Sequence, residues 1–425
     1  MDYRIFSGSM TDTIYISDEC CMGVVKPIIS EDETPLSNEA LLNVLDNPFG
    51  RIPIQQAVNG LSTIAIIVDD ATRPTPTAKI LPLVLKKLLT AGVRKDHITI
   101  TIATGLHRPT TIDEKKIILG DVIFYSYDVA DNDAYNEQSY RQVGVLANGK
   151  KIYFNKRVLD VDYVITIGMV KSHAFAGFSG GAKSLLPGVS NKETILANHS
   201  FENIKYPKGI LGNIEQSATR REMEEAAGYI NPFIINVMLN SKHEIVFATA
   251  GHYILAHRQI VDFYSKTARR ELPYVADIAI VYGGDVGKIS LYHSLFACNT
   301  VLGTERPILK RGGTLIIFAE CKEGLGTDSF NTLKLFSSSF AALESLKDQK
   351  PFEGQWAVQC LLESCIACHL CIVSSGLDEK DISQLDLQYF STLAAALSFA
   401  NATQGDNAKI VLVENPETLI LNVKN

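Results

Sequence analysis

No apolar run in this chain reaches the roughly 20 residues that a membrane-spanning helix requires. The N-terminus, MDYRIFSGSM, lacks the apolar core of a secretory signal. Eight cysteines in 425 residues are too few for a disulfide scaffold. Basic charge is not in excess: 40 Lys and Arg stand against 47 Asp and Glu, a net charge of −7. That balance gives no electrostatic footprint for nucleic acid or for an acidic membrane surface. Short repeats and low-complexity segments are absent, as is the HExxH pattern of a zinc hydrolase. What is left is a cytoplasmic globular protein whose length suggests two domains.

Apolar runs supply the framework. Thr63–Val68, His97–Ala103, Val122–Ser126 and Tyr163–Val170 read as strands, separated by polar loops and helical segments. This order is that of an open, Rossmann-like parallel α/β sheet. A possible helix near 38–46, the polar stretch Ser30–Thr34 and the Cys20-Cys21 pair make residues 1–60 look peripheral. A helix is predicted at 215–227 and a long one over 254–271. Pro273 then marks a boundary between a first domain, 1–273, and a smaller second one, 274–425, whose extreme C-terminal tail packs back on the first. The second repeats the α/β alternation through Ala276–Tyr282, Gly313–Phe318 and Ala408–Val413.

Ligands of such sheets bind beyond the carboxyl ends of the strands. Three successive ends here carry ionisable clusters: Asp70 and Arg73, His107 and Arg108, and Lys171, His173 and Lys183. Arg73 lies in a Pro-stiffened loop, where a guanidinium suits a carboxylate or phosphate. Asp69 and Asp70 are candidates to orient it or to hold a ribose hydroxyl. His107 and His173 have the only side-chain type that titrates unperturbed near neutrality, and two such bases on opposite faces of a substrate are what a racemase needs.

The run GFSGGAK, Gly177–Lys183, fits neither the P-loop spacing nor GxGxxG. Read as strand, Gly-rich turn and helix, it is a candidate backbone cradle for phosphate, with Lys183 as counter-ion or covalent anchor. His199 is a candidate metal ligand, but one histidine does not make a zinc site. Cys360, Cys365, Cys368 and Cys371 suggest an iron–sulfur cluster, yet they lack the ferredoxin spacing and lie in apolar sequence, so packing is the expected role.

Together, DDATRPTP, ATGLHRP, KSHAFAGFSGGAKSLLPG and the following NHS resemble the successive motifs of the nickel-pincer lactate racemase family. ECKEGLG, GQW and VSSGL continue the resemblance to about residue 380. It implies a two-domain α/β enzyme with its site in the interdomain cleft. The implied cofactor is a nickel(II) pyridinium-3,5-bisthiocarboxylate mononucleotide, built by separate maturation enzymes. By resemblance, Lys183 anchors it covalently, His199 supplies the protein's nickel ligand, and Asp70, Ala71, Thr72 and Arg73 contact it. His107 and His173 become the acid/base pair around a 2-hydroxy acid, with hydride transfer from C2. Arg73, Asp285, Lys288 and Trp356 are the substrate candidates.

The sequence departs from the family after Gly283-Gly284, where Asp285 stands in place of an aromatic and proline, and at Tyr292-His293, where Tyr-Gln is usual. Lactate is the default substrate. A different 2-hydroxy acid such as malate, or a non-catalytic cofactor- or nickel-binding protein, are the alternatives.

Overall fold

The computed structural model describes residues 1–27, 34–205, 210–383 and 385–424. Most of the polar stretch Ser30–Thr34 lies outside these. Two six-stranded sheets organise the chain, each with helices packed on its faces.

The first sheet has the order 245–252, 233–239, 163–169, 64–69, 98–103, 128–131. All neighbours are parallel except the antiparallel pair Phe233–Leu239 and Ile245–His252. Its central strand, Ile64–Asp69, is fully buried over Ile64–Val68, as its unbroken apolar run requires. From that strand the chain moves outward twice on one side, then returns to lay Tyr163–Met169 on the other. The order therefore reverses between 64–69 and 163–169. A crevice opens at such a point because the two connections leave in opposite directions.

The second sheet repeats the plan. Its order is 388–390, 369–373, 309–318, 276–282, 410–414, 21–25, and every pair is parallel. Here the reversal falls between Ala276–Tyr282 and Ile410–Glu414.

Four expectations change. Residues 1–25, placed in the first domain by the boundary at 273, pack with the second sheet. Cys21–Val25 forms its edge, and Ile5, Ile14 and Ile16 join its core. The signal was weak because an edge strand needs no continuous apolar run. Val122–Ser126 is not a strand. Asp121–Phe124 is a helical turn with Val122 exposed, and the edge strand is the polar Asp128–Asp131. The helix expected to reach 271 ends at Ala268, because Arg269–Leu272 pairs in parallel with Ile420–Val423 near the C-terminus. Finally, the Gly-rich turn leads into a single 3₁₀ turn, Gly181–Ser184, and the next helix begins only at Lys192. No helix N-terminus follows the glycines directly.

Among the described residues no helix is long and apolar enough to cross a membrane. The four cysteines of the CxxCxxC region are free, and Cys360, Cys368 and Cys371 are buried among apolar side chains.

Candidate active site

The candidate residues gather at the carboxyl ends of the first sheet's strands, beside its reversal point. Asp70–Arg73 follow strand 64–69, His107 follows 98–103, and Lys171–His173 follow 163–169. The Arg73 charge is felt by Asp69, Asp70, Lys171, His173 and Lys183. It also reaches Tyr292 and His293, which follow strand 276–282 of the second sheet. One guanidinium thus reports the convergence of three loops.

Asp70 is 5% exposed and accepts a 2.6 Å hydrogen bond from His107 Nδ1. Thr72 steadies the same carboxylate through its backbone N–H at 3.2 Å and its hydroxyl at 2.6 Å. Burial would push the Asp70 carboxyl up. The His107 hydrogen bond and the His107 and Arg73 charges outweigh it and hold the carboxyl at about 2. A carboxylate bound to Nδ1–H fixes the tautomer and leaves the Nε2 lone pair for a proton. Asp70 is thus the partner of His107 rather than of Arg73. Asp69 is a tie between strands: it accepts from Thr75 Oγ1 at 2.7 Å and from the Met169 backbone N–H at 3.1 Å.

His173 is held differently. The Ala176 backbone N–H donates to its Nδ1 at 3.3 Å, so the neutral ring carries its proton on Nε2. Desolvation first, then the Lys183 and Arg73 charges, push this ring well below the usual histidine range. The Phe175 ring packs edge-on against both His173 and His199, at 4.7 and 5.0 Å between centroids. His199 Nδ1 bonds the Ile195 carbonyl at 3.1 Å, which leaves Nε2 free, the arrangement a ligating histidine uses. Desolvation and the Lys183 charge lower it to about 3.

Lys183 is enclosed by protein, yet it keeps accessible surface, as do His173 and His199. Strong desolvation combined with residual access describes the floor of a concavity. Desolvation and the Arg73 charge bring the lysine down to about 7, with Asp69 and Asp70 resisting. A sizeable neutral fraction at neutral pH makes this amine a nucleophile.

The glycines serve packing rather than a phosphate cradle. The N–H groups of Phe178, Ser179, Gly181 and Lys183 donate to Ala176 O, Lys171 O, Asn236 Oδ1 and Gly180 O. Gly180 and Gly181 have φ of 73° and 60°, and a Cβ there would lie 2.7 Å from Val170 and 2.9 Å from His257. The turn's carbonyls are collected by Arg220, which is fully buried and bonds Ala176 O at 3.3 Å, Gly180 O at 3.1 Å and Phe178 O. Leaving a buried charged network half-paired costs about 3–5 kcal/mol, so Arg220 anchors the loop that carries His173 and Lys183. The sequence held a signal for it: Arg220, Met223 and Ala227 share the buried face of helix Ala218–Gly228.

The remaining candidates lie around this floor rather than in it. Asp285, 3.0 Å from Lys288 Nζ and 3.2 Å from His243 Nε2, forms an exposed ion cluster. Trp356 gives its N–H to the Tyr292 hydroxyl and lays its ring 6.4 Å from Phe175, so it offers a face rather than a donor. His293, bonded to Ser290 Oγ at 2.8 Å, was not singled out as a site residue. Desolvation and the Arg73, His107 and Lys171 charges lower it to about 4. Ala71 is exposed on the same loop as Arg73.

Among the described residues no three His, Cys, Asp or Glu converge to hold a metal. A zinc site built from protein ligands alone is therefore not present there. Among the described residues, an imidazole open at Nε2 (His199) and an enclosed amine (Lys183) are compatible with a group that brings its own metal donors.

A histidine held by a carboxylate and a second, strongly desolvated histidine, both at strand ends of one sheet, suit an isomerase of the racemase class. Family models for the lactate racemase N-terminal and C-terminal domains match residues 8–210 and 275–421. The lactate racemase of Lactiplantibacillus plantarum is 31% identical over 432 residues, covering 97% of each chain. That of Thermoanaerobacterium thermosaccharolyticum is 30% identical over 417 residues, 96% of each. A solved structure of the lactate racemase apoprotein from T. thermosaccharolyticum matches with a TM-score of 0.89 at 29% identity over 100% of both chains. A Thermotoga maritima protein shares the fold at a TM-score of 0.70 and 15% identity, over 92% of this chain and 99% of that one. The chain belongs to the lactate racemase family and is an isomerase.

Proposed function

We propose that this enzyme racemises a 2-hydroxy acid, with lactate the default substrate. The observation that supports the reading is the complementary hydrogen-bond states of His107 and His173. His107, fixed by Asp70, presents a lone pair; His173 presents an N–H. One takes the substrate hydroxyl proton, the other returns it on the opposite face, and microscopic reversibility exchanges their roles. Arg73 holds the carboxylate, and the Trp356 and Phe175 rings screen the reacting carbon from water.

Lys183 and His199 would hold the nickel-pincer nucleotide, the lysine through a thioamide to its amine and the histidine through Nε2. When bound, that group would accept and return the C2 hydride, which avoids a costly carbanion. Thioamide formation at Lys183 also removes the first of the charges that lower His173. Asp285 and Lys288 serve at the outer edge, where their mutual ion pair leaves Arg73 the principal carboxylate fork.

One observation favours a more polar substrate. Lys171 adds a second enclosed cation beside Arg73, and His293 adds a neutral imidazole. Malate, with its second carboxylate, suits that pair. A chiral assay of the cofactor-loaded enzyme over lactate, malate and longer 2-hydroxy acids decides. The expected result is interconversion of at least one acid from either enantiomer. Loaded protein inert toward the whole panel would instead indicate a cofactor-binding protein.

A further inference from the structure

The second sheet's reversal point carries a built-in ligand. The strands that flank it end in Gly283-Gly284-Asp285 and in Asn415-Pro416-Glu417. Ligands of open α/β sheets occupy this crevice, but here the Glu417 side chain fills it. Glu417 is 5% exposed, and its Oε1 accepts the Asp285 backbone N–H at 2.6 Å. A Cβ on Gly284 (φ 75°) would lie 2.1 Å from the same carboxylate, so the turn closes directly onto it. The Glu417 carbonyl in turn accepts from Ser172 Oγ at 3.1 Å, one residue before His173. Pro416 O accepts from Thr300 Oγ1 at 3.0 Å, and Ile420, three residues on, packs with Val170 and Phe178. The reversal points of the two sheets are thus joined through one residue.

We propose that Glu417 is a positioning residue: its carboxylate holds the Gly284–Asp285 turn, and its backbone ties that turn to the loop bearing His173. The inference deepens the racemase reading and rests on it for kinetics only. Asp285 and Lys288 follow this turn at the outer edge and His173 lies on the tied loop, so loss of the link shifts the outer edge and the His173 loop together. Glutamine keeps an acceptor for the Asp285 N–H, whereas alanine removes it.

The test compares wild type, Glu417→Gln and Glu417→Ala as cofactor-loaded enzyme, by amide hydrogen exchange and steady-state kinetics. In Glu417→Ala, amides of 283–290 and 171–179 are expected to exchange about tenfold faster while 64–69 stays protected. The kcat is expected to fall by about tenfold or more, with Glu417→Gln restoring it to within about threefold. Unchanged exchange in the turn, uniformly faster exchange over the whole chain, or glutamine as damaging as alanine would overturn the proposal. If wild type turns over no 2-hydroxy acid, the racemase reading fails, and the exchange arm still decides the role of Glu417.

Discussion

Replacing His107 or His173 by alanine is expected to slow racemisation by about 10²–10⁴-fold, the usual worth of a positioned acid or base. Neither ring can stand in for the other, because their surroundings differ. His107 is tethered through Nδ1 to a carboxylate held at about 2. His173 is tethered through Nδ1 to a backbone N–H and is kept neutral by desolvation and the Lys183 and Arg73 charges. Asp70→Asn should give a smaller loss than His107→Ala, since the amide oxygen can still accept from Nδ1 although it carries no charge. Chiral chromatography from each pure enantiomer, with cofactor occupancy measured in parallel, checks the set. Either single alanine variant retaining more than about a tenth of wild-type turnover would exclude a two-histidine scheme.

Lys183→Ala is expected to abolish covalent loading completely, whereas His199→Ala should retain the nucleotide adduct and lose nickel. The distinction follows from the donor atoms. Lys183 offers an enclosed amine brought down to about 7. His199 offers an imidazole whose Nδ1 bonds a backbone carbonyl and whose Nε2 is left open. Peptide mass spectrometry over 171–200, with nickel analysis of the same samples, reads both. An adduct surviving in Lys183→Ala would move the anchor elsewhere, and full nickel in His199→Ala would remove its role as ligand.

Much of the site was legible because its residues follow buried strands. The apolar runs ending at Val68, Ala103 and Met169 announce parallel strands, and the polar residues beyond them mark one rim. Three things were hidden. Arg220 reaches the Gly-rich turn from 40 residues away, and only the fold reveals that the turn's carbonyls need a donor. The glycines resemble an anion cradle in sequence, yet most of their neighbouring N–H groups are spent internally. Residues 1–25 pack on the second sheet as a hairpin and supply its edge strand, where half-polar strands suffice and periodicity is faint. Charged residues of the second sheet's loops, such as Asp285 and Lys288, could be matched by motif, but their mutual pairing depends on the turn that Glu417 holds.

The most direct test of the central claim is racemisation of an enantiopure 2-hydroxy acid by loaded enzyme in D₂O, with the isotope at C2 of the inverted product read by mass spectrometry. The account predicts inversion with protium retained at C2, because hydride leaves and returns without meeting solvent while the two histidines exchange only the hydroxyl proton. Deuterium at C2 of the inverted product would contradict it, since solvent exchange there requires a carbanion.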